Sequence, residues 1–382
     1  MKKLNVGIIG MGFIGELHFA ALSMLPNVKI KALCVSRREK IKEIQEYYGV
    51  EYVTDCWEEI VNDPSIDVIH NCTPNHLHDK INLAVIAAGK HIYAEKPLSS
   101  TGENAYQVWK TAEQAGIAHG VNYQYRMNAA VIEMKNRIRS GQGGMPLFVS
   151  GQYLQDSAAR RTDYTKRRIP ETSPARAVLD IGVHWADTAS FVMGCPIKKV
   201  YAKMYTHYPV RMDPVTKKEI KIHSDDTTSV MVEFEDGTPG QALFSKCMLG
   251  HKNDFVVTVS GEEREYSWRQ EQCDRLWVGN REIGNETVYL NKKFCDPLTA
   301  SYISLPAGHA FGWRDALVNA MRDFYCSVSE ETWKSGKHIY ATFEDGWRGN
   351  CFVEACLESE RENRWSSLKG ETDDQSTGMG RK

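Results

Sequence analysis

Within its first fifteen residues the chain passes from an apolar run, residues 6–9, through Gly10-Met11-Gly12-Phe13-Ile14-Gly15 into a helical pattern at residues 14–24. Glycines wedged between a strand and a helix restrict the fold more than any other feature of the sequence. The first permits a tight turn, the second lets another group approach the backbone, and the third lets the helix lie close on the strand. The alternation then continues. Strand-like runs at residues 28–35, 67–72, 91–94 and 118–121 are interleaved with helical stretches at 39–48, 79–88 and 103–115. Strands that alternate with helices build a parallel sheet covered on both faces. At 382 residues the chain exceeds one ordinary core, so a second domain is expected.

The pattern changes near residue 122. A helix is expected over residues 129–139, closed by Gly141 and Gly143-Gly144, and then strands at 147–155, 227–234, 241–247 and 255–260. Clustered strands indicate a mainly antiparallel sheet. Helices at 178–193, ending at Gly194, and at 343–358 accompany it. The fold class is therefore α/β: a doubly wound parallel-sheet domain over 1–124, an α/β domain with a large open sheet over 125–368, and a polar tail over 369–382.

Net charge is -2 and hydrophobic residues make up 42%, so the chain has the means for sizeable cores and no general attraction to nucleic acid or anionic membranes. No stretch is long and apolar enough to span a bilayer. The ten cysteines are scattered and no pair is separated by only two residues, which argues against a zinc ribbon and points to a reducing cytoplasm.

The glycine turn opens a helix N-terminus, whose free N–H groups and positive dipole end suit the pyrophosphate of a dinucleotide. At the end of the second strand, Ser36-Arg37-Arg38-Glu39 replaces the acid that would bind the ribose 2′-hydroxyl of NAD. Arginines there can meet a 2′-phosphate or simply flank a solvated helix start. This tilts the choice towards NADP and leaves NAD open. Two further motifs close later strands, Thr73-Pro74-Asn75 with His78, and Glu95-Lys96-Pro97. Strand carboxyl ends are where open α/β sheets bind ligands. In the second domain, Asp180 and His184 lie four apart and share a helix face. An aspartate can orient an imidazole that exchanges a proton near neutral pH. No third ligand accompanies them, so no metal site is expected.

Taken together, these motifs resemble the glucose–fructose oxidoreductase/inositol dehydrogenase/rhizopine-catabolism (Gfo/Idh/MocA) family, over residues 6–358 and in the family's order. The resemblance implies a Rossmann domain followed by an α/β domain with an open sheet, NAD(P)-dependent oxidation or reduction of sugars, inositols and polyols, and homo-oligomers formed through that sheet. It implies that Lys96, Asp180 and His184 are catalytic and that the Lys96-Pro97 bond is cis. It also implies that Gly10, Gly12, Phe13, Ile14, Gly15, Ser36, Arg37, Arg38, Thr73, Asn75, His78, Glu95, Lys96 and Asn122 line the cofactor. Gly151-Gln152-Tyr153-Leu154-Gln155-Asp156 resembles the branch that holds levoglucosan dehydrogenase and enzymes oxidising the 3-hydroxyl of glucosides, which makes the C3 hydroxyl of a glucose-type ring the expected substrate group.

A sugar needs flat apolar surface and several polar partners. Tyr125, Tyr153, Tyr164 and Trp185 are candidates for stacking, and Arg126, Gln155 and Asp156, with Asp180 and His184, for the hydroxyls. Each aromatic alone suits core packing equally well. Arg160-Arg161, Lys166 and Arg167-Arg168 read as a solvated loop, or as an attraction for an anionic substrate group. Other readings are an inositol or polyol dehydrogenase, a reductase of a non-sugar carbonyl, an enzyme that retains its cofactor and passes hydride between sugars, and a nucleotide-sensing regulator without turnover. The regulator would have no need of Lys96, Asp180 and His184 together.

Overall fold

The structure is a computed structural model that describes residues 3–164 and 173–370. The chain forms two compact units, Met1–Asn128 with Trp313–Asn350, and Ala129–Gly312 with Cys351–Lys382. The sequence reading set the boundary at 124 and kept the rest of the chain in the second domain; here residues 125–128 and the segment 313–350 pack with the first unit.

In the first unit, the described strands are β1 (Leu4–Ile9), β2 (Val28–Cys34), β3 (Tyr52–Thr54), β4 (Val68–Asn71), β5 (His91–Ala94) and β6 (His119–Val121). They form a sheet in the order β3-β2-β1-β4-β5-β6, parallel throughout. Val6, Ile8, Leu33, Val68, Ile69 and Ile92 are fully buried, as a sheet covered on both faces requires. Strand order reverses beside β1, between β2 and β4, and that crevice is where such sheets take ligands. The helices α1 (Phe13–Leu22), α2 (Ile41–Tyr48), α3 (Trp57–Asn62), α4 (His78–Ala87) and α5 (Gly102–Ala115) connect the strands. Of these elements, β3 and α3 escape periodicity because three and six residues are too short to show it.

In the second unit, α6 (Ala129–Arg139), α7 (Val183–Met193) and the short α8 (Pro297–Ser301) accompany the strands. α9 (Trp313–Glu330) returns the chain to the first unit, and α10 (Phe343–Glu362) begins there and ends in the second. α9 buries Ala316, Leu317, Ala320, Met321, Phe324, Tyr325 and Val328, an apolar stripe at helical spacing. Phe324 meets Tyr93 edge-on with ring centroids 5.3 Å apart. At the start of α10, Trp347 stacks on Trp109 at 5.1 Å, and Gly346 is close enough that a Cβ there would lie 2.8 Å from Leu98.

The large sheet of the second unit uses β7 (Pro146–Leu154), β8 (Ile197–Tyr205), β11 (Thr227–Phe234), β12 (Pro239–Ser245), β13 (Asp254–Gly261), β14 (Arg264–Arg269), β15 (Arg275–Asn280), β16 (Glu286–Tyr289) and β17 (Ser366–Ser367), while β9 (Val210–Met212) and β10 (Glu219–Lys221) form a separate ribbon. Among the described residues the order is β16-β15-β14-β13-β7-β12-β11-β8-β17, antiparallel except for β7 with β12. Register separates the two faces. Ala202, Val230, Ala242, Gly151, Val257 and Trp268 pair in one row, and its side chains are buried. The neighbouring row, Tyr201, Met231, Gln241, Ser150, Thr258, Ser267 and Trp277, faces outward.

The helix expected over 178–193 is two elements. A wide π turn, Val178–Gly182, precedes α7. Its entry is fixed by Asp225, whose carboxylate accepts the Arg176 N–H at 2.6 Å and the Val178 N–H at 2.9 Å. Amides held from outside do not close the ordinary first turn, and such turns recur at functional sites.

Candidate functional site

The glycine turn sits at the switch point of the first unit. Gly10 has a left-handed φ of 98°, and a Cβ there would lie 2.6 Å from the Cys72 carbonyl oxygen. A Cβ on Gly15 would strike the Gly10 carbonyl oxygen. The turns after β1 and β4 therefore lie against each other, and α1 starts close above them. Gly12 caps α1 with no side-chain hydrogen bond, so the leading N–H groups are not taken by a side-chain cap. Phe13 is exposed and Ile14 half-buried beside this opening. Such a cradle fits a pyrophosphate.

Ser36, Arg37 and Arg38 are all exposed at the end of β2, with Arg38 3.9 Å from Asp55. In the turn after β4, the Thr73 hydroxyl donates to Asn71 at 2.7 Å and Asn75 is exposed. His78 is fully buried. Its ring nitrogens lie 2.6 Å from the Pro97 carbonyl and 2.9 Å from the Thr73 carbonyl. This corrects its expected place in the cofactor lining: the ring ties two strand-end turns together and has no edge left for a ligand.

Lys96 is half-buried just past β5, and the Lys96-Pro97 bond is cis. Glu95 is buried. Its Oε1 takes hydrogen bonds from Asn122 Nδ2 at 2.6 Å and faces His18 Nε2 at 3.0 Å, while its Oε2 accepts the Lys96 amide at 3.2 Å. Burial alone would raise this carboxyl. The hydrogen bond and charge of His18, with Asn122 and Lys96, outweigh it and hold the group below its ordinary value. Asn122 is likewise buried in this cluster and its amide is engaged by Glu95.

Tyr125 and Arg126 also belong to the first unit. Tyr125 is buried, and the Arg126 guanidinium forks onto Asp345 at 2.9 and 3.2 Å. Asp345 is held below the carboxylate range because the charge and hydrogen bond of Arg126, with bonds from Thr342, outweigh the effect of burial.

In the second unit, Asp180 is half-exposed on the π turn and its carboxylate pairs with Lys246, the residue after β12. His184 is buried one turn later, its ring 6.3 Å from Tyr153. The Tyr153 hydroxyl donates to Asn253 Oδ1 at 2.6 Å, and Gln155 Nε2 donates to the same oxygen at 3.3 Å. Asp156 pairs with Lys252 at 2.5 Å, which holds its carboxyl low. Trp185 and Tyr164 correct the stacking expectation. Trp185 is fully buried against Gly151, where a Cβ would strike its indole nitrogen, and against Phe244 at 5.9 Å. Tyr164 packs on Ile222 and Ile220. Arg161 pairs with Glu219 at 2.6 Å, and Lys166, Arg167 and Arg168 lie outside the described residues.

Residues 4–123 match the oxidoreductase family with an NAD-binding Rossmann fold, and residues 131–267 match the Gfo/Idh/MocA C-terminal domain. The chain belongs to the Gfo/Idh/MocA family of oxidoreductases. Relatives within this family align end to end. Levoglucosan dehydrogenase of Pseudarthrobacter phenanthrenivorans is 29% identical over 96% of this chain and 98% of its own. Glucose-6-phosphate 3-dehydrogenase of Bacillus subtilis is 23% identical over 96% and 99%. A solved levoglucosan dehydrogenase in complex with NADH and L-sorbose superposes with a TM-score of 0.87 at 28% identity, covering 96% of this chain and 99% of that one. This Gfo/Idh/MocA chain is thus an enzyme with an NAD-binding domain.

Sequence reasoning missed the segment between β12 and β13, which supplies Lys246, Lys252 and Asn253. The available signal was the polar stretch His251-Lys252-Asn253 just ahead of a strand. It also missed His18, whose position three residues after Gly15 places it on the buried face of α1. Arg126, expected on a sugar, is engaged by a carboxylate instead. Arg126→Ala should lower stability by about 2–4 kcal/mol, somewhat below the range for stripping a fully dry pair, because Asp345 keeps 28% of its side chain exposed. A depressed carboxyl stabilises fully above its unfolded value and loses that contribution as pH falls through its folded value. Thermal unfolding of both proteins from neutral to acid pH should therefore show the gap between them closing in acid.

Proposed function

We propose that this oxidoreductase oxidises a carbohydrate hydroxyl, that of C3 on a glucose-type ring or glucoside, to a 3-oxo sugar, and runs the reverse reduction. The observation that carries this reading is the Lys96 strand end: a half-buried lysine whose main chain is tied to a buried, ionised Glu95, beside a glycine cradle a Cβ would fill. The end-to-end likeness to levoglucosan dehydrogenase and to glucose-6-phosphate 3-dehydrogenase supports the sugar and the carbon.

Gly10, Gly12 and Gly15 would hold the pyrophosphate, with Phe13, Ile14, Thr73 and Asn75 beside it. When bound, the nicotinamide supplies the hydride acceptor or donor. The protein's own part is to place the hydroxyl and move its proton. His184 takes that proton, and Asp180, with the Lys246 cation beside it, keeps the imidazole in its working orientation. Lys96 donates a hydrogen bond to the oxygen as it becomes a carbonyl. Gln155, Asp156 and Asn253 bond the remaining hydroxyls, and Tyr153 stands beside His184. Lys96→Ala and His184→Ala should each slow turnover by about 10²–10⁴-fold, with NAD affinity changed far less. If both groups serve one proton-transfer step, the double variant should lose less than the product of the two. Steady-state rates on levoglucosan, D-glucose, glucosides and myo-inositol, with NAD binding measured by calorimetry, check this. Near-full activity in both single variants would remove these residues from the mechanism, and a preference for myo-inositol would move the substrate to the polyols.

For the cofactor, we propose that NAD(H) is bound and that the exposed Ser36-Arg37-Arg38 end of β2 also admits the 2′-phosphate of NADP. Replacing Arg37 and Arg38 together by alanine should weaken NADP by about 1–3 kcal/mol, the scale of charged hydrogen bonds, and leave NAD nearly unchanged. Equal losses for both nucleotides in calorimetric titrations would show that the arginines do not touch the phosphate.

The chain is also proposed to form a homo-oligomer through the outward row of the large sheet, where Met231 and Trp277 keep 44% and 36% of their surfaces exposed. It is proposed to work in the cytoplasm: all ten cysteines are free, and among the described residues no helix is long and apolar enough to cross a membrane. Light scattering at micromolar concentration should give a multiple of the 43.3 kDa chain mass, and a monomeric mass would exclude the assembly.

A further inference from the structure

In the first unit a continuous line of buried polar side chains runs from α9 to the strand end that carries Lys96. The Tyr325 hydroxyl lies 2.8 Å from His70 Nε2, His70 Nδ1 lies 2.9 Å from His18 Nδ1, and His18 Nε2 lies 3.0 Å from Glu95 Oε1. Glu95 then accepts the Lys96 amide through its other oxygen. His18, His70 and Tyr325 are each 0% exposed, so bulk water reaches none of them. They come from α1, β4 and α9, and each ring is braced. His70 stacks between Tyr93 at 5.2 Å and Tyr325 at 5.9 Å.

Hydrogen counting restricts how this line works. Two imidazole nitrogens at bonding distance share one hydrogen, so one ring donates and the other accepts. His18 Nε2 faces a carboxylate and must donate. Its Nδ1 either donates to His70 as well, or accepts from His70 Nδ1–H while His70 Nε2 accepts from the tyrosine hydroxyl. In both arrangements the N–H of His18 stays aimed at Glu95. Burial first, and the neighbouring His18 second, push His70 well below the ordinary imidazole range, so it stays neutral. The other groups packed around the line are Cys72, whose sulfur is 3.2 Å from His18 Nδ1, and Tyr93, whose hydroxyl is 3.4 Å from Asn122. Burial raises the thiol and both phenols, so they stay neutral too. Glu95 and Lys96 are the charged groups beside them, with Asp67, Arg126 and Asp323 acting from farther out.

We propose that Tyr325, His70 and His18 are positioning residues for Lys96: they hold the Glu95 carboxylate fixed and ionised from behind, and Glu95 pins the main chain from which the lysine side chain extends. This rests on the reading of Lys96 as the group that bonds the reacting hydroxyl. A lysine on a four-carbon stem keeps its ammonium in place only if its root is fixed, and a 1 Å misplacement of a reacting group can cost about 10²-fold. The line reaches Lys96 through the protein interior, so it acts without touching substrate.

Three variants of the full chain test this. Tyr325→Phe deletes one hydroxyl at the far end. His18→Leu removes both contacts of the ring. His18→Gln keeps an N–H directed at Glu95 and drops the contact to His70. Rates would be read with NAD and levoglucosan, D-glucose or myo-inositol, whichever turns over fastest. We expect kcat to fall roughly 10-fold in Tyr325→Phe and about 10²-fold in His18→Leu, and to recover to within about 10-fold in His18→Gln, with KM and NAD affinity nearly unchanged. Because His18 lowers the Glu95 carboxyl, its loss should raise the pH at which Glu95 takes up a proton, read from the side-chain carboxyl carbon resonance of glutamate-labelled protein through an acid titration. A readout without substrate is the nitrogen NMR spectrum of histidine-labelled protein, in which Tyr325→Phe should shift the ring resonances of both His70 and His18. If Lys96→Ala is inactive while Tyr325→Phe and His18→Leu keep kcat and His18→Leu leaves the Glu95 titration unmoved, the positioning line is wrong and the role of Lys96 stands. If Lys96→Ala is itself active, that role falls and the line falls with it. Should His18→Leu not fold, Tyr325→Phe and His18→Gln decide the kinetics, and unmoved His18 resonances in Tyr325→Phe overturn the proposal.

Discussion

At the carboxyl end of β1, the Gly10 backbone lies so close to the Cys72 carbonyl that no side chain fits, and three strand ends are stitched there. Gly10 N–H donates to the Cys34 carbonyl at 3.0 Å, and Cys72 N–H donates to the Ile9 carbonyl at 2.8 Å. That contact sets the height at which α1 begins. Gly15 then lets the helix settle on the turn, and one turn on, His18 is carried into the dry interior rather than towards solvent. From there its ring reaches Glu95 at the end of β5. A close backbone approach at one turn thus determines where a buried carboxylate finds its partner on another strand, and through it where the Lys96 main chain lies.

The second unit solves a related problem with stronger charges. Asp226 accepts from Arg211 at 2.7 Å and pairs with Arg176, and all three side chains are almost wholly buried. Next to it, Asp225 holds the amides that open the π turn and takes the Thr228 hydroxyl at 2.7 Å. Moving charges out of water costs several kcal/mol per ion, recovered only where every lone pair finds a donor in good geometry. These residues spend hydrogen bonds on backbone as well as on one another: Asp226 also accepts the His207 and Tyr208 amides at 2.8 and 3.1 Å, and Arg211 also donates to the carbonyls of Arg160 and Ala158. The result is a stiff base under the turn that presents Asp180 and leads into His184.

Much of this architecture was legible before any coordinates. The glycine motif and the strand–helix alternation specify a parallel sheet because both are local: each glycine acts on its own turn, and each period-two or period-3.6 run declares one face. What periodicity cannot declare is which core that face covers. α9 has a strong apolar stripe, but its stripe would read the same against either sheet, so its return to the first unit is invisible in the chain order. Residue type was similarly silent on burial. Tyr153, Tyr164 and Trp185 are all aromatic and were all expected against a sugar ring. Only the closeness of Gly151 decides that Trp185 is core. Arg126 looked like a hydroxyl-bonding arginine because its partner, Asp345, is 219 residues away.

The polar residues at the strand ends fall into two groups, and the distinction explains why only one was found. Lys96, Asp180, Gln155 and Asp156 are partly exposed and sit in short motifs, so a local reading finds them. His18, His70, Asp225 and Lys246 stand behind them and meet their partners across long separations: 52 residues from His18 to His70, 77 from His18 to Glu95, 66 from Lys246 to Asp180. Ordering such contacts costs conformational entropy that only the completed fold offsets. They cannot form as local structure, and each contributes little until the sheet of its own unit exists. Once formed, they are costly to distort, since each leaves a buried charge or polar atom unanswered when its partner moves. The exposed residues carry chemistry that a short motif can encode. Their precision comes from buried partners that only the tertiary structure brings together.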